Sequence, residues 1–199
     1  MKLHTLLVRS TLFVVVLTVL LGGVYPAAVT GVSYLFWKDK ANGSFVTSGR
    51  RVVGSELIGQ NFSKSEYLHP RPSAAGKNGY DGTASTGTNK GPTDADLAKA
   101  VREAVAAART DRPGDTRPVP ADLVTSSGSG LDPHLSPDAA EWQAARIAKA
   151  RGVPEERVLA LIRSHVEPRT LGLFGEPRVN VLKTNLDFDA TLGARPARQ

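Results

Sequence analysis

The sequence predicts an α+β protein: one N-terminal transmembrane helix followed by a small extramembrane domain that mixes helices with short strands. Two observations carry this. No charged side chain lies between Arg9 and Lys38, and beyond that run helical apolar spacing alternates with turn-rich and strand-like stretches. Positions 10–37, about 28 residues, would measure roughly 42 Å as helix. A hydrocarbon core of about 30 Å needs only ~20 residues. A cleaved signal peptide is the rival reading, but its apolar region is usually about 7–15 residues long. Here the run continues past Tyr25-Pro26 to Leu35 and Phe36. The expected organisation is therefore 1–9 before the membrane, 10–37 as the span, 38–190 as the domain and 191–199 as a flexible, Arg-rich tail.

Within the span, Gly23, Ala27 and Gly31 recur at every fourth position and share one helix face. Small side chains at that spacing let another helix backbone approach closely. Pro26 removes a backbone donor and is expected to bend the helix near that face. Charge leaves the orientation open: Lys2 and Arg9 precede the span, while Lys38, Lys40, Arg50 and Arg51 follow it.

After the span, Ala41-Asn42-Gly43-Ser44 reads as a turn and Arg51-Val52-Val53 as a strand. Positions 69–93 are dense in Pro, Gly, Ser, Thr and Asn, and with Tyr67 and Tyr80 at hand they read as an ordered, internally packed loop. Thr93 as cap, with Asp96 three residues on, opens a helix whose face is Leu97, Val101, Val105 and Ala108. Positions 110–120 hold three prolines and form a linker. Ser136 and Pro137 start a second helix, striped by Ala140, Ala144, Ile147 and Ala148 and closed by Gly152. Pro154 opens a third, with Val158, Leu161, Ile162 and His165 on one face, where His165 reads as a core residue. The stretch from Val179 to Phe188 alternates as a strand would, with Asp187 and Asp189 near its end.

Composition narrows the function. The 199 residues carry a net charge of +6 and no cysteine, so disulfides and thiolate metal sites are excluded. The positive balance suits anionic lipid or an acidic protein. The basic residues are scattered and not interleaved with aromatics, which argues against nucleic acid. Gly82 to Gly91 lacks the Gly-Lys-Ser/Thr order of a phosphate loop. Ser129 and His134 invite a membrane-tethered hydrolase, yet Gly128-Ser129-Gly130 lacks the nucleophile-elbow spacing. The four histidines, His4, His69, His134 and His165, have no paired ligand spacing. Neither a catalytic nor a cofactor or metal site emerges, so the domain is expected to act by shape on a partner; a free-standing tethered binding module is the third reading.

A long series of short motifs points to such a partner. It includes Val29-Thr30-Gly31, Gly54-Ser55-Glu56-Leu57-Ile58-Gly59-Gln60, Arg71-Pro72-Ser73-Ala74-Ala75-Gly76, Tyr80-Asp81 and Gly91-Pro92-Thr93. Val119-Pro120-Ala121-Asp122-Leu123, Ser127-Gly128-Ser129-Gly130-Leu131-Asp132-Pro133-His134 and Gly172-Leu173-Phe174-Gly175-Glu176-Pro177-Arg178-Val179-Asn180-Val181-Leu182 follow. With these in order, the chain resembles the C subunit of the bacterial Kdp high-affinity potassium-transporting P-type ATPase from about Val24 to Leu186. The resemblance implies a non-catalytic accessory subunit that stabilises assembly and couples the other subunits. Its partners would be a potassium-channel-like pore subunit, a P-type ATPase subunit bearing the phosphorylated aspartate, a small single-span subunit and the lipid bilayer. It implies a bacterial inner-membrane location, with a cytoplasmic N-terminus and an extracytoplasmic domain over the potassium entrance. ATP and K+ would be used by the complex. The family is also described as assisting ATP binding through a loop that would lie at Ser85-Thr86-Gly87-Thr88-Asn89, where Thr86 and Thr88 depart from the usual Gly and Ser. A domain facing outward would hold that loop away from cytosolic ATP. Gly23, Ala27 and Gly31 in the span, and Arg71, Tyr80, Asp81, Asn89 and Asp132 in the domain, are the expected partner contacts.

Overall fold

A computed structural model describes residues 2–193; the end of the expected tail, 194–199, lies outside the described residues. The chain divides into two compact units after Val46.

The first unit is dominated by one long helix, Leu3–Phe36, long and apolar enough to cross a membrane. It is built from α1 (Leu3–Val19), a π-helical turn (Leu20–Val24) and α2 (Tyr25–Phe36). The turn lies just before Pro26, where the sequence predicts a bend. A proline ring presses on the carbonyl four residues back, here Gly22, and offers no N–H to it. The ladder widens just before the proline, and the Tyr25 N–H reaches the Leu20 carbonyl, five residues back. No residue of these segments is buried. A four-residue helix, α3 (Lys38–Ala41), precedes the Asn42-Gly43 turn. The boundary falls within β1 (Phe45–Ser48), and β2 (Arg51–Ser55) lies in the second unit.

The second unit gathers its core around a three-stranded antiparallel sheet. Its strands are short: β3 (His134–Leu135), β4 (Val166–Glu167) and β5 (Arg178–Asn180), with β5 central. Val179 sits opposite Leu135 on one side and Val166 on the other. Four helices pack around it: α5 (Pro137–Trp142), α6 (Ala144–Arg151), α7 (Glu155–Ser164) and α8 (Val181–Thr191). Leu135, Ala140, Ala144, Ile147, Val158, Ile162, Val179 and Phe188 form the core, joined by Leu68 from the long loop. α4 (Ala95–Thr110) buries no residue completely, although Leu97, Val101, Val105 and Ala108 share its half-buried face.

Three expectations need correction. The strand expected from Val179 to Phe188 ends at Asn180, whose side chain accepts the Lys183 N–H and caps α8. The buried positions Val181, Thr184, Asn185 and Phe188 follow helical spacing, and the polar Thr and Asn among them disguise the stripe. Asp187 and Asp189 consequently lie on a helix. The cap of α4 is Asp94, not Thr93; its carboxylate accepts from the N–H groups of Asp96 and Leu97. The helix expected from Ser136 to Gly152 is two helices broken at Gln143. Gln143 Nε2 donates to the Ala139 carbonyl, the group its own N–H would take in a continuous helix. That N–H bonds Ala140 instead. Ser136 does cap α5, and Gly152, at φ +69°, closes α6. His165 is a half-buried residue at the end of α7; its Nδ1 lies 3.0 Å from the Leu161 carbonyl.

Candidate functional site

The loop between β2 and α4 is ordered by side chains that replace a sheet ladder. Asn185 on α8 grips both backbone groups of Leu68, accepting its N–H at 2.7 Å and donating to its carbonyl at 3.0 Å. One residue on, Gln143 does the same for His69, at 2.8 and 3.0 Å. Arg146 donates to the Ser65 and Tyr67 carbonyls, and Arg151 to that of Glu66. Buried backbone groups must find partners, and here helix side chains supply them.

Past this seam, the chain builds a knot around Arg71. Its guanidinium lies 3.2 Å from Asp132 and 3.9 Å from Asp122, and also donates to the Thr125 and Ser126 carbonyls. The Tyr80 hydroxyl donates to the carbonyl of Arg71. Tyr80 has a left-handed backbone, φ +58°, pinned by Ser73 Oγ, which accepts its N–H at 2.8 Å and donates to the Gly130 carbonyl at 2.6 Å. Gly59 makes room: a Cβ there would lie 2.6 Å from the Asp132 carbonyl and 3.0 Å from the Tyr80 ring. Burial, then the nearby Asp132 carboxylate, push the Tyr80 hydroxyl well above its ordinary pKa. Burial also pushes the Asp132 carboxyl up, but the His134 hydrogen bonds and the Arg71 charge outweigh it and leave it below the usual range. The knot borders a polar surface cavity of about 410 Å3, lined also by Asn61, Ser63, Asn78 and Phe62.

Of the residues expected at an interface, the fold thus unites Arg71, Tyr80 and Asp132. Asp81 is exposed nearby, its carboxylate accepting the N–H and hydroxyl of Thr83. Asn89 is exposed at φ +54° in the following loop. Around Gly23 and Gly31, apart from adjacent residues and the helix's own backbone, no described atom lies within 4 Å of where a Cβ would stand. The loop at 85–89 is stitched to the turn before Asp132: Ser85 Oγ donates to the Ser129 carbonyl, and Gly130 meets the Thr86 carbonyl so closely that a Cβ would lie 2.6 Å from it.

Sequence reasoning overlooked Asp122, Thr125 and Gly59 as parts of the knot. The two polar side chains lie more than fifty positions from Arg71, and only the approach of the stretch 119–125 to the Arg71 motif in space reveals them. It also overlooked a second cavity, of about 720 Å3, where Arg112 pairs with Glu155, Arg163 with Glu141, and the Arg117 guanidinium lies 5.7 Å above Trp142. The hydroxyl of Ser129 accepts the Leu131 N–H and lies 3.4 Å from that of Ser127, while His134 faces Asp132 and Asn180. That arrangement supplies turn geometry and does not pair Ser129 with His134 as nucleophile and base. Among the described residues, no three His, Asp or Glu side chains gather as a metal site.

The family model described as "K+-transporting ATPase, c chain" matches residues 7–190. The chain belongs to the KdpC family. A potassium-transporting ATPase KdpC subunit of Myxococcus xanthus is 56% identical over 183 residues, covering 92% of this chain and 86% of that protein. The KdpC subunit of Nitratidesulfovibrio vulgaris is 50% identical over 191 residues, 96% of this chain and 97% of its own. That of Koribacter versatilis is 49% identical over 185 residues, 93% and 94%. The match to the family takes in the long helix, the Arg71 knot and the three-stranded sheet alike.

Proposed function

We propose that this chain is the accessory subunit of an ATP-driven potassium uptake pump, holding the assembly together and coupling its ATP-hydrolysing and pore-forming subunits. The observation that carries the proposal is the family match running from the long helix through α8. A second line of support is how the charged side chains are spent. Arg71, Arg146 and Arg151 donate to backbone carbonyls and paired carboxylates, an economy suited to a rigid cap. On this reading the phosphorylated aspartate, ATP and the K+ pathway belong to the partners: a channel-like pore subunit, a P-type ATPase subunit and a small single-span subunit. The helix sits in the bacterial inner membrane with the N-terminus cytoplasmic, and the domain covers the potassium entrance outside. Gly23, Ala27 and Gly31 offer the close-approach face to a partner helix. Arg71, Tyr80, Asp81, Asn89 and Asp132 offer oxygen-rich, rigid ground at the entrance, while ion selectivity stays with the pore subunit.

The test is co-purification from membranes. Tagged wild-type chain should bring down the large pump subunits, and Gly23→Leu combined with Gly31→Leu should reduce their recovery. Wild-type chain running alone in detergent would refute the subunit reading; unchanged recovery with the double variant would refute the helix face.

A further inference from the structure

The connection between β4 and β5 exposes more apolar surface than folding requires. Leu171, Leu173 and Phe174 stand 84, 76 and 64% exposed. The segment is nevertheless well made. Thr170 and Phe174 exchange both backbone hydrogen bonds at 2.9 Å, and the N–H groups of Gly172 and Leu173 close on Arg169 and Thr170. Leu171 has φ +55°. In that left-handed conformation a Cβ crowds the following carbonyl, which disfavours leucine. Strain of this kind persists where the surroundings hold it, and it concentrates at ligand clamps and other functional sites. Here it aims a large apolar side chain into solvent.

We propose that this tip is an anchor that seats in an uncharged, apolar cleft on another subunit of the pump. The inference rests on the subunit reading above. Charge decides between a protein cleft and a lipid surface. At the base of the tip Arg169 pairs with Glu176 at 2.5 Å, and Arg178 with Glu167 at 3.0 Å. The collar therefore cancels its own charge and leaves nothing to draw anionic headgroups. Positions 168–177 also lack the Trp, Tyr and Lys that settle at a membrane interface. An aromatic anchor, here Phe174, on an apolar patch inside a self-satisfied polar rim fits the anatomy of a protein-protein interface. The rigid turn means little conformational freedom is lost on docking.

The test places the photoreactive amino acid p-benzoylphenylalanine at position 174 of the full chain, co-expressed with the rest of the pump and irradiated in native membranes. A cross-link to another pump subunit is expected. Cross-links only to lipid, only to a second copy of this chain, or none at all would overturn the proposal. In parallel, Leu171→Ser, Leu173→Ser and Phe174→Ser together should speed loss of the chain from the detergent-purified complex by at least about tenfold. The melting temperature of the full chain alone should stay within about 2 °C, since exposed positions change stability little. Retention equal to wild type would overturn the anchor. Wild-type chain that fails to co-purify would sink the subunit reading itself, whereas wild-type chain that co-purifies without a cross-link at 174 sinks the tip alone.

Discussion

Arg151 ties its own helix to two distant stretches of backbone. Only 1% of its side chain is exposed, and it donates to the carbonyls of Glu66, Phe188 and Gly193 and to the Asp189 carboxylate. Its guanidinium also lies 5.2 Å from the Tyr67 ring centre and 5.5 Å from that of Phe188. Replacing it by methionine keeps the apolar stem but strands those acceptors and the carboxylate. Arg151→Met should cost about 3 kcal/mol or more of stability, read as a fall in urea midpoint; a loss within the error of the wild type would refute the staple. His69 provides a pH handle on the same seam. Burial, then the Arg146 charge, hold its pKa below the ordinary value of 6.5. The folded state therefore favours neutral imidazole, and the unfolded chain binds the proton more readily. Stability from this group is present above about pH 6.5 and lost as the pH falls toward the folded pKa. Melting scans from pH 7.5 to 5 should show that loss, and His69→Gln should flatten it.

At the scale of elements, much was legible in local chemistry. Ser136-Pro137 and Gly152 marked helix ends because capping depends on the residue itself. The apolar faces of α4 and α7 were visible as period, and the long helix as an uncharged run. What escaped was set by distant neighbours. α8 reads as a strand because Thr184 and Asn185 stand where its buried stripe needs apolar residues, and Asn185 is there for Leu68, 117 positions away. Gln143 breaks a helix for the sake of His69, 74 positions away. The Arg71 knot was half visible: Arg71, Tyr80 and Asp132 stood out in motifs, whereas Asp122 and Thr125 join them only through tertiary approach. α4 shows the opposite dependence. With no residue fully buried, it leans on its cap, so Asp94→Ala should weaken its first turn. Hydrogen exchange of the amides in 95–100 should accelerate several-fold, with the core helices unchanged; equal protection would contradict the role given to Asp94.

At the scale of the molecule, the extramembrane unit is a small sheet-and-helix core carrying long loops that amide and guanidinium side chains hold in place. Such loops keep their shape without a large sheet, which suits the accessory role proposed for the chain. The KdpC family match and this economy of side chains support the central proposal, that the chain is required by a reaction its partners perform. The direct measurement is potassium-stimulated ATP hydrolysis by the pump purified from membranes expressing every subunit except this one, then again with the chain restored. The account predicts that stimulation disappears without the chain and returns with it. Full potassium-stimulated hydrolysis in its absence would contradict the account.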